Sequence, residues 1–518
     1  MGLAAKALLV AVMIPLVVSP ALGAVPVTVL DDNDWRPPAA VSRAEGIEHE
    51  MTPELLLTTE FKEPVFLFDP TDDETITHIT DFQGKLYLSA CTQPAATDTG
   101  SVFAYDPETN QWQKAFQVND QGLVRLEVYG DRLYIAGYDA NDGGWDLGNV
   151  YVHDGKTWVE HRTVPRAIHE YGLAVYRGRI YVSADILDPA PPGMTVDDAA
   201  EKGLVDVYGR VVSSGDGGLS WREEYRGPQP GQDIGFMTVF RDRLIVNANG
   251  DLLTFDGKCW KRLGLNPNAL IVFDYADAGD TLILGTSLGL GFFDGRRFRR
   301  SDNIIWLSQI RAVRRFGSSW LLVWCDVTGG TIHHGPQLMS YPAFVGESRK
   351  PFASGVRMIP DDLMCRAARA DVPRKIWWDK VQDVDSSEML TAAHVFRGRV
   401  YLGTHPEGRV LVLPVVKEGT LDSAPRPTPS AGSYTLSWEA ATPAGTSCRL
   451  QIRTAASPQV LEKQPFVGPD GIETSYFDVP GATVRIREPG LVQYRVLLRT
   501  ENPALTPYLK RVTLRLAG

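Results

Sequence analysis

The sequence predicts an all-β protein: a seven-bladed β-propeller followed by a small β-sandwich or jelly-roll domain. Two observations carry this. Seven segments repeat one hairpin template at blade-like spacing, and a final stretch of alternating strands shows no helical period. Of 518 residues, 44% are hydrophobic and 22% charged, which is ample material for a core and unlike a disordered chain.

The chain opens with Lys6, an apolar run from Ala7 to Val18, and small residues at Ala21-Leu22-Gly23. That run is too short to span a bilayer comfortably and reads as a cleaved signal peptide over 1–23. No later run of about 20 apolar residues follows, so no transmembrane anchor is expected. The expected location is secreted or periplasmic. Residues 24–64 read as an N-terminal extension poor in pattern, ending in PVFLFDP, which suits an outer strand closing the ring against the last blade.

The seven hairpins span 65–415. They read ITDFQGKLYLSA, LEVYGDRLYIAG, LAVYRGRIYVSA, MTVFRDRLIVNA, DYADAGDTLILGT, AVRRFGSSWLLVW and AHVFRGRVYLGT. Each joins two β-rich runs through a tight turn of Gly, Asp or Ser. Leu86, Leu133, Ile180, Leu244, Leu282, Trp320 and Val400 are equivalent positions. A four-stranded blade takes roughly 40–50 residues, so the wider intervals before Leu244 and Val400 imply insertions. A second unit follows most hairpins: VFAYDPETNQW, VYVHDGKTW, VVSSGDGGLSW, LLTFDGKCW and GFFDGRRF. Each supplies a third strand, an Asp-Gly turn and a fourth strand opening on an aromatic residue. TIHHGPQLMSY and GRVLVLPVV stand in the corresponding places of the sixth and seventh units, without the aromatic turn.

VKEGTLDSAPRPTPSAGS is a Pro/Ser-rich linker on its composition, set at 416–432. Beyond it, SYTLSWEA, CRLQIRTA, SYFDV, ATVRIRE, LVQYRVLLRT and KRVTLRLAG read as the strands of a sandwich over 433–518.

The 52 Lys and Arg against 63 Asp and Glu leave a net charge of -11 with no basic run, which argues against nucleic acid and anionic membranes as partners. Five scattered cysteines (Cys91, Cys259, Cys325, Cys365, Cys448) lack CxxC spacing, so they leave room for one disulfide and disfavour a zinc site. No metal and no cofactor is expected. Asp139-Ala140-Asn141-Asp142-Gly143 offers oxygen ligands out of EF-loop register, leaving structural calcium as the one ion open to discussion. His333 and His334 are adjacent on an expected strand and point to opposite faces, and His405 stands apart from both. No HExxH, GxGxxG or GxSxG spacing occurs.

In a propeller the starts of the innermost strands face the central channel. The template places Thr77 and His78, Val124 and Arg125, Tyr171, Phe273 and Asp274, Arg311 and Thr391 there, with His169 just before Tyr171 and His394 slightly inside its strand. Arg125, His169 and Tyr171 form a candidate catalytic set for β-elimination from an acidic sugar. Arg125 would neutralise the carboxylate, His169 abstract the α-proton and Tyr171 protonate the leaving oxygen. Asp139, Asp142, Asp146 and Asp185, on long loops, offer a glycosidase acid and base as the competing chemistry. His78, Asp139, Asp142, Asp185, Arg311 and His394 are the candidate ligand-binding residues.

Ser214-Gly215-Asp216-Gly217-Gly218-Leu219-Ser220-Trp221 matches Ser-x-Asp-x-Gly-x-x-Trp. This part of the chain resembles the Asp-box, or bacterial neuraminidase repeat, of sialidase-like propellers. The resemblance implies that Ser214, Asp216, Gly218 and Trp221 are structural, on the face opposite an active site. Asp154-Gly155 with Trp158 and Asp256-Gly257 with Trp260 read as degenerate copies. Trp35-Arg36-Pro37-Pro38 departs from the Phe/Tyr-Arg-Ile-Pro motif of sialidases. The features Gly468-Pro469-Asp470-Gly471, Gln493-Tyr494-Arg495 and Thr506-Pro507 resemble an accessory module of secreted bacterial propeller proteins and glycan-active enzymes. The expected function is binding or processing of extracellular or cell-envelope glycans by a monomer, with recognition favoured over catalysis. The alternatives are a lyase or hydrolase acting on acidic glycans and a protein-interaction scaffold.

Overall fold

The computed structural model describes residues 28–70, 75–91, 99–231, 234–248, 250–264, 271–300, 308–326, 354–369 and 380–517. The apolar start at 1–23, residues 92–98, His333 and His334 lie outside them. The chain is all-β: its only α-helices among the described residues are Val196–Glu201, Asp361–Arg369 and Pro458–Leu461. No helix among them is long and apolar enough to cross a membrane.

Each hairpin of the sequence template forms the first two strands of an antiparallel four-stranded meander. The seven first strands are Thr75–Phe82, Asp120–Tyr129, Ala167–Tyr176, Ile234–Phe240, Val272–Asp277, Ser308–Phe316 and Met389–Phe396. The second and third meanders join into one eight-stranded sheet through the Tyr138–His169 pair. The turns explain the hairpins. Arg177-Gly178 and Arg397-Gly398 both have positive φ at their two central residues, the conformation whose twist matches the flanking strands.

The seventh meander takes its outer strand from the other end of the sequence. Val65–Phe68, within PVFLFDP, pairs with Val410–Val412. The sixth corrects the sequence reading: its third and fourth strands are Ser354–Pro360 and Gln382–Ser386 rather than TIHHGPQLMSY, which lies outside the described residues.

First strands of consecutive meanders are neighbours all the way round, and the seventh neighbours the first. Seven separate apolar cores fill the seven intervals. One packs Phe82 and Tyr87 on Leu126 and Ile135, another Ile283 and Phe292 on Ile310 and Trp320, a third Ile76 and Phe103 on Tyr401 and Val412. Burial on both faces is why strands such as Leu282–Thr286 are buried throughout. Each fully buried aliphatic or aromatic side chain adds roughly 1.5–3 kcal/mol.

Polar links stitch six of these intervals near the centre. Thr77 Oγ1 donates to Leu123 O at 2.8 Å, Ser183 Oγ to Gly235 O at 2.5 Å and Thr391 Oγ1 to Ile76 O at 2.6 Å. Val272 N–H donates to Asn247 Oδ1, Val313 N–H to Asp274 Oδ2 and Leu390 N–H to Ser354 Oγ.

The C-terminal domain is two facing sheets around one core that includes Tyr434, Leu450, Val496 and Leu514. Its composition corrects two boundaries. The Pro/Ser-rich segment is no free linker: Glu418–Ser423 and Arg426–Thr428 both pair with Gly490–Thr500. The N-terminal extension supplies Thr28–Asp32, paired with Tyr508–Leu516, and Val41–Glu45, paired with Glu418–Ser423. SYFDV contributes only an isolated bridge, Phe477 to Leu450, so it is not a strand. Trp35 is fully buried and its indole N–H donates to the Tyr494 hydroxyl at 2.8 Å. Pattern alone missed these edges because Pro and Ser are tolerated at strand margins.

Glu108, on a turn of the first meander, ties the two parts together. It accepts from Arg397 Nη1 at 2.5 Å and from Lys510 Nζ at 2.6 Å.

Candidate functional site

All seven first strands carry a break in register at one level: between Ile76 and His78, Leu123 and Leu126, Glu170 and Gly172, Ile234 and Met237, Val272 and Asp274, Ile310 and Ala312, and Leu390 and Ala392. The residues left over are Thr77, Val124 with Arg125, Tyr171, Gly235 with Phe236, Phe273, Arg311 and Thr391. Every one lines a single central cavity of about 60 Å³. A bulge removes a residue from the ladder and re-aims its side chain, so these seven irregularities build the site. Each bulge stands at a fixed offset before a turn residue of positive φ: Thr77 before Gln83, Tyr171 before Arg177, Gly235 before Arg241, Arg311 before Gly317. The sequence reading missed Gly235 and Phe236, although that offset points to them.

Arg125 is buried and fully engaged. Its Nε donates to Glu127 Oε1 at 2.8 Å, Nη1 to Phe273 O at 2.8 Å and Nη2 to Asp274 Oδ1 at 3.2 Å. Burial disfavours its charge, yet Glu127 and Asp274 more than offset this and hold the guanidinium above its ordinary pKa. Asp274 also accepts from Arg314 Nη1, and Tyr275 donates to Glu127 Oε2 at 3.1 Å. Arg314 carries no sequence signal, because it reaches Asp274 from another strand, whereas Glu127 stands two residues from Arg125 on the same strand.

His78 and Arg311 differ from this. The His78 ring is 8% exposed. Its Nδ1 faces the Leu126 backbone N–H at 3.4 Å, which can only donate, so the ring proton sits on Nε2. Nε2 has no hydrogen-bond partner among the described residues. Burial, with Arg125, Arg314 and His394 nearby, depresses the ring's pKa well below the usual histidine value. Arg311 is 7% exposed, lies over the Phe273 ring at 4.0 Å and makes no ion pair among the described residues. Its Nε is buried without a partner, and burial pushes its pKa down to about 10.

A second cluster adjoins the cavity at Tyr171. The Tyr171 hydroxyl donates to Asp185 Oδ2 at 2.8 Å and lies 3.3 Å from His169 Nδ1. His169 stacks on Tyr138 with centroids 4.3 Å apart, and its Nε2 is 4.0 Å from Asp139 Oδ2. Asp139 in turn accepts from the Trp145 indole at 2.9 Å. The structure therefore brings His169, Tyr171, Asp185 and Asp139 together, and commits Arg125 to Glu127 and Asp274.

Other candidates stand elsewhere. Asp185 is not a loop residue: it lies within strand Arg179–Leu187 and is buried. Asp139 likewise falls within strand Arg132–Ala140, with positive φ. Asp142 accepts from Asn119 Nδ2 at 2.9 Å in an exposed turn, and Asp146 ends a short 3-10 turn. His394 meets Asp81 Oδ1 at 2.8 Å rather than lining the cavity, and His405 Nδ1 lies 2.5 Å from Thr75 Oγ1. Among the described residues no group of three His, Cys, Asp or Glu is placed to hold a metal.

The Asp-box segment forms a self-contained turn. Asp216 accepts from Leu219 N at 3.1 Å and Ser220 N at 3.0 Å, and Gly218, with φ 100°, donates to Ser214 Oγ. Hydrogen bonds from the Ser220 and Ser214 hydroxyls hold its carboxyl well below the usual carboxylate range. Trp221 donates to Thr163 Oγ1 at 2.9 Å, linking the third meander to the second. Asp154 and Asp256 cap their own turns in the same way.

No protein-family model matches the chain, and no curated protein matches it. Among solved structures, it is similar to the computationally designed Ika8 protein at 13% identity and TM-score 0.40, covering 68% of this chain and 99% of that one. It is also similar to the extracellular domain of a hybrid two component system from B. thetaiotaomicron, at 9% identity and TM-score 0.44, covering 69% and 40% of the two chains. The structure of YjhT is similar at 11% identity and TM-score 0.35, covering 51% and 97%.

Proposed function

We propose that this chain is an exported, monomeric seven-bladed β-propeller of the Asp-box kind that recognises an extracellular or cell-envelope glycan at its central cavity. The observation carrying the reading is that all seven first strands bulge at one level and direct their bulged residues into one polar cavity. A stability argument alone gives no reason for that convergence, since bulges disrupt the ladder. The cyclic neighbourhood of the first strands and the seven separate cores support the propeller reading. The Asp-box turn supports the family reading, and the apolar start of the chain supports export.

Recognition is favoured over catalysis for a geometric reason. The cavity of about 60 Å³ holds a few water molecules or one small polyatomic group, and a whole sugar ring must stay at the rim. The His169–Tyr171–Asp185 cluster satisfies itself, with Tyr171 already donating to Asp185. A glycan array probed with the mature chain tests this, with saturable retention of a defined glycan class expected. An unsaturated uronate detected by ultraviolet absorbance, or a released reducing end, would overturn the recognition reading in favour of a lyase or hydrolase. Retention of a protein but no glycan would favour the scaffold reading.

A further inference from the structure

We propose that a slot between the second and third meanders, at the level of the Asp-box turn, takes an aromatic side chain from a partner protein. The slot is separate from the central cavity, and no residue lines both.

Stacked rings pin neighbouring meanders at this level. Opposite the equivalent second-strand positions Leu86, Leu133, Ile180 and Leu244 stand Tyr105, His153, Ser214 and Phe255. Three residues earlier on the third strand, Val102, Val150 and Val211 pair with Phe116, His161 and Tyr225 on the fourth. Between the first and second meanders, Trp158 stacks on Phe116 at 4.7 Å and on His153 at 4.4 Å. Between the third and fourth, Trp260 meets Tyr225 at 5.4 Å and Phe255 at 4.7 Å. The interval between the second and third departs from this at both positions. Ser214 has no ring to offer, because its hydroxyl closes the Asp-box turn on Asp216 and Gly218. His161 stands where the neighbouring meanders carry Phe and Tyr. Trp221 donates to Thr163 instead and stacks on no ring among the described residues.

The space left is a slot of about 350 Å³, and Ser214 and His161, the two departing positions, both line it. That volume lies within the range of ligand pockets. Its apolar walls are Val152 and Val159 from the second meander and Val175 and Ile180 from the third. Such walls hold water poorly, so an apolar group that displaces it gains affinity. A flat ring is what the flanking intervals hold at the same level. Arg132, also on the lining, has no carboxylate partner among the described residues. With the His161 ring it offers the cation and the stacking face that favour an aromatic group. The occupant belongs to a protein because apolar surface continues past the slot. Val159 is 46% exposed, and Leu219 on the Asp-box turn is 65% exposed. A chain anchored by one aromatic residue covers both, in the way buried aromatic anchors dominate interfaces.

The test is calorimetric titration of the mature chain with the acetylated, amidated tripeptide Leu-Trp-Leu, beside Leu-Leu-Leu and free indole. Saturable binding of Leu-Trp-Leu is expected, about tenfold or more tighter than either control. The ring resonances of His161 should move on adding it to the unmodified chain, a readout that needs no variant to fold. Val159→Trp fills the slot from an exposed position, and should abolish binding without lowering the melting temperature. Indole binding as tightly as the peptide overturns the protein assignment in favour of a small aromatic ligand. Equal binding of Leu-Leu-Leu overturns the aromatic one. Binding that leaves His161 unmoved or survives Val159→Trp, or no binding by any probe, removes the slot as a site.

Discussion

Arg125 reaches from the second meander across the central cavity to Asp274 on the fifth, Nη2 lying 3.2 Å from Oδ1. Those meanders are not neighbours, so the pair braces the centre directly. Asp274 also accepts the Val313 backbone N–H at 2.8 Å and thereby draws in the sixth.

Arg125→Met should destabilise the protein by about 3–5 kcal/mol, because it leaves Glu127 and Asp274 buried with too little positive charge. Urea unfolding followed by tryptophan fluorescence measures this. A loss below about 1 kcal/mol, the value of an exposed pair, would show that the brace is not formed.

Glu170 is fully buried and neither carboxylate oxygen has a hydrogen-bond partner among the described residues. Burial, and then the charge of Asp120, push its pKa well above the ordinary glutamate value. A folded pKa above the unfolded one, about 4.3, means its contribution is full below that pH and lost as pH rises through the folded value. Glu170→Gln should therefore leave stability unchanged in acid and raise the melting temperature at alkaline pH. Melting curves across that range check it, and parallel pH profiles for the two proteins would refute it. Gly148→Ala should be damaging at any pH, since its Cβ would lie 1.8 Å from Glu170 Oε1.

The Glu108 bridge makes a separate prediction about the two parts of the chain. Burial works against its charge, but hydrogen bonds from Arg397 and Lys510 prevail and lower its pKa. Its contribution is present above the unfolded value and is lost as pH falls through the folded one. Glu108→Gln should cost about 1 kcal/mol at neutral pH, the pair being partly screened by solvent. Limited proteolysis near residue 416 should quicken in the variant, and parent and variant should converge in acid.

Asp216→Ala should lower the melting temperature without changing glycan retention, because its hydrogen bonds all close the turn and none reaches the cavity. Asp216→Asn should recover part of the loss, since one amide oxygen can still accept the Leu219 and Ser220 N–H groups. Loss of retention with an unchanged melting temperature would move the Asp-box from a structural to a binding role.

The elements that sequence alone determined are those set by local chemistry. Alternating apolar runs, turn residues and the Asp-Gly pairs at Asp154, Asp216 and Asp256 specify hairpins within a few positions, so their count and order were legible. The inward positions of Thr77, Tyr171 and Thr391 followed from the same template. What only the tertiary structure decided is long-range pairing. Val65–Phe68 and Thr28–Asp32 join strands from the far end of the chain, and the Pro/Ser-rich run at 418–428 becomes strand because partners await it. The division between Arg125 and Arg311 belongs here too. Both are arginines on equivalent bulges, and only the carboxylates packed against each decide which is already neutralised. Coulomb and hydrogen-bond partners depend on distance in space, which periodicity along the chain does not encode.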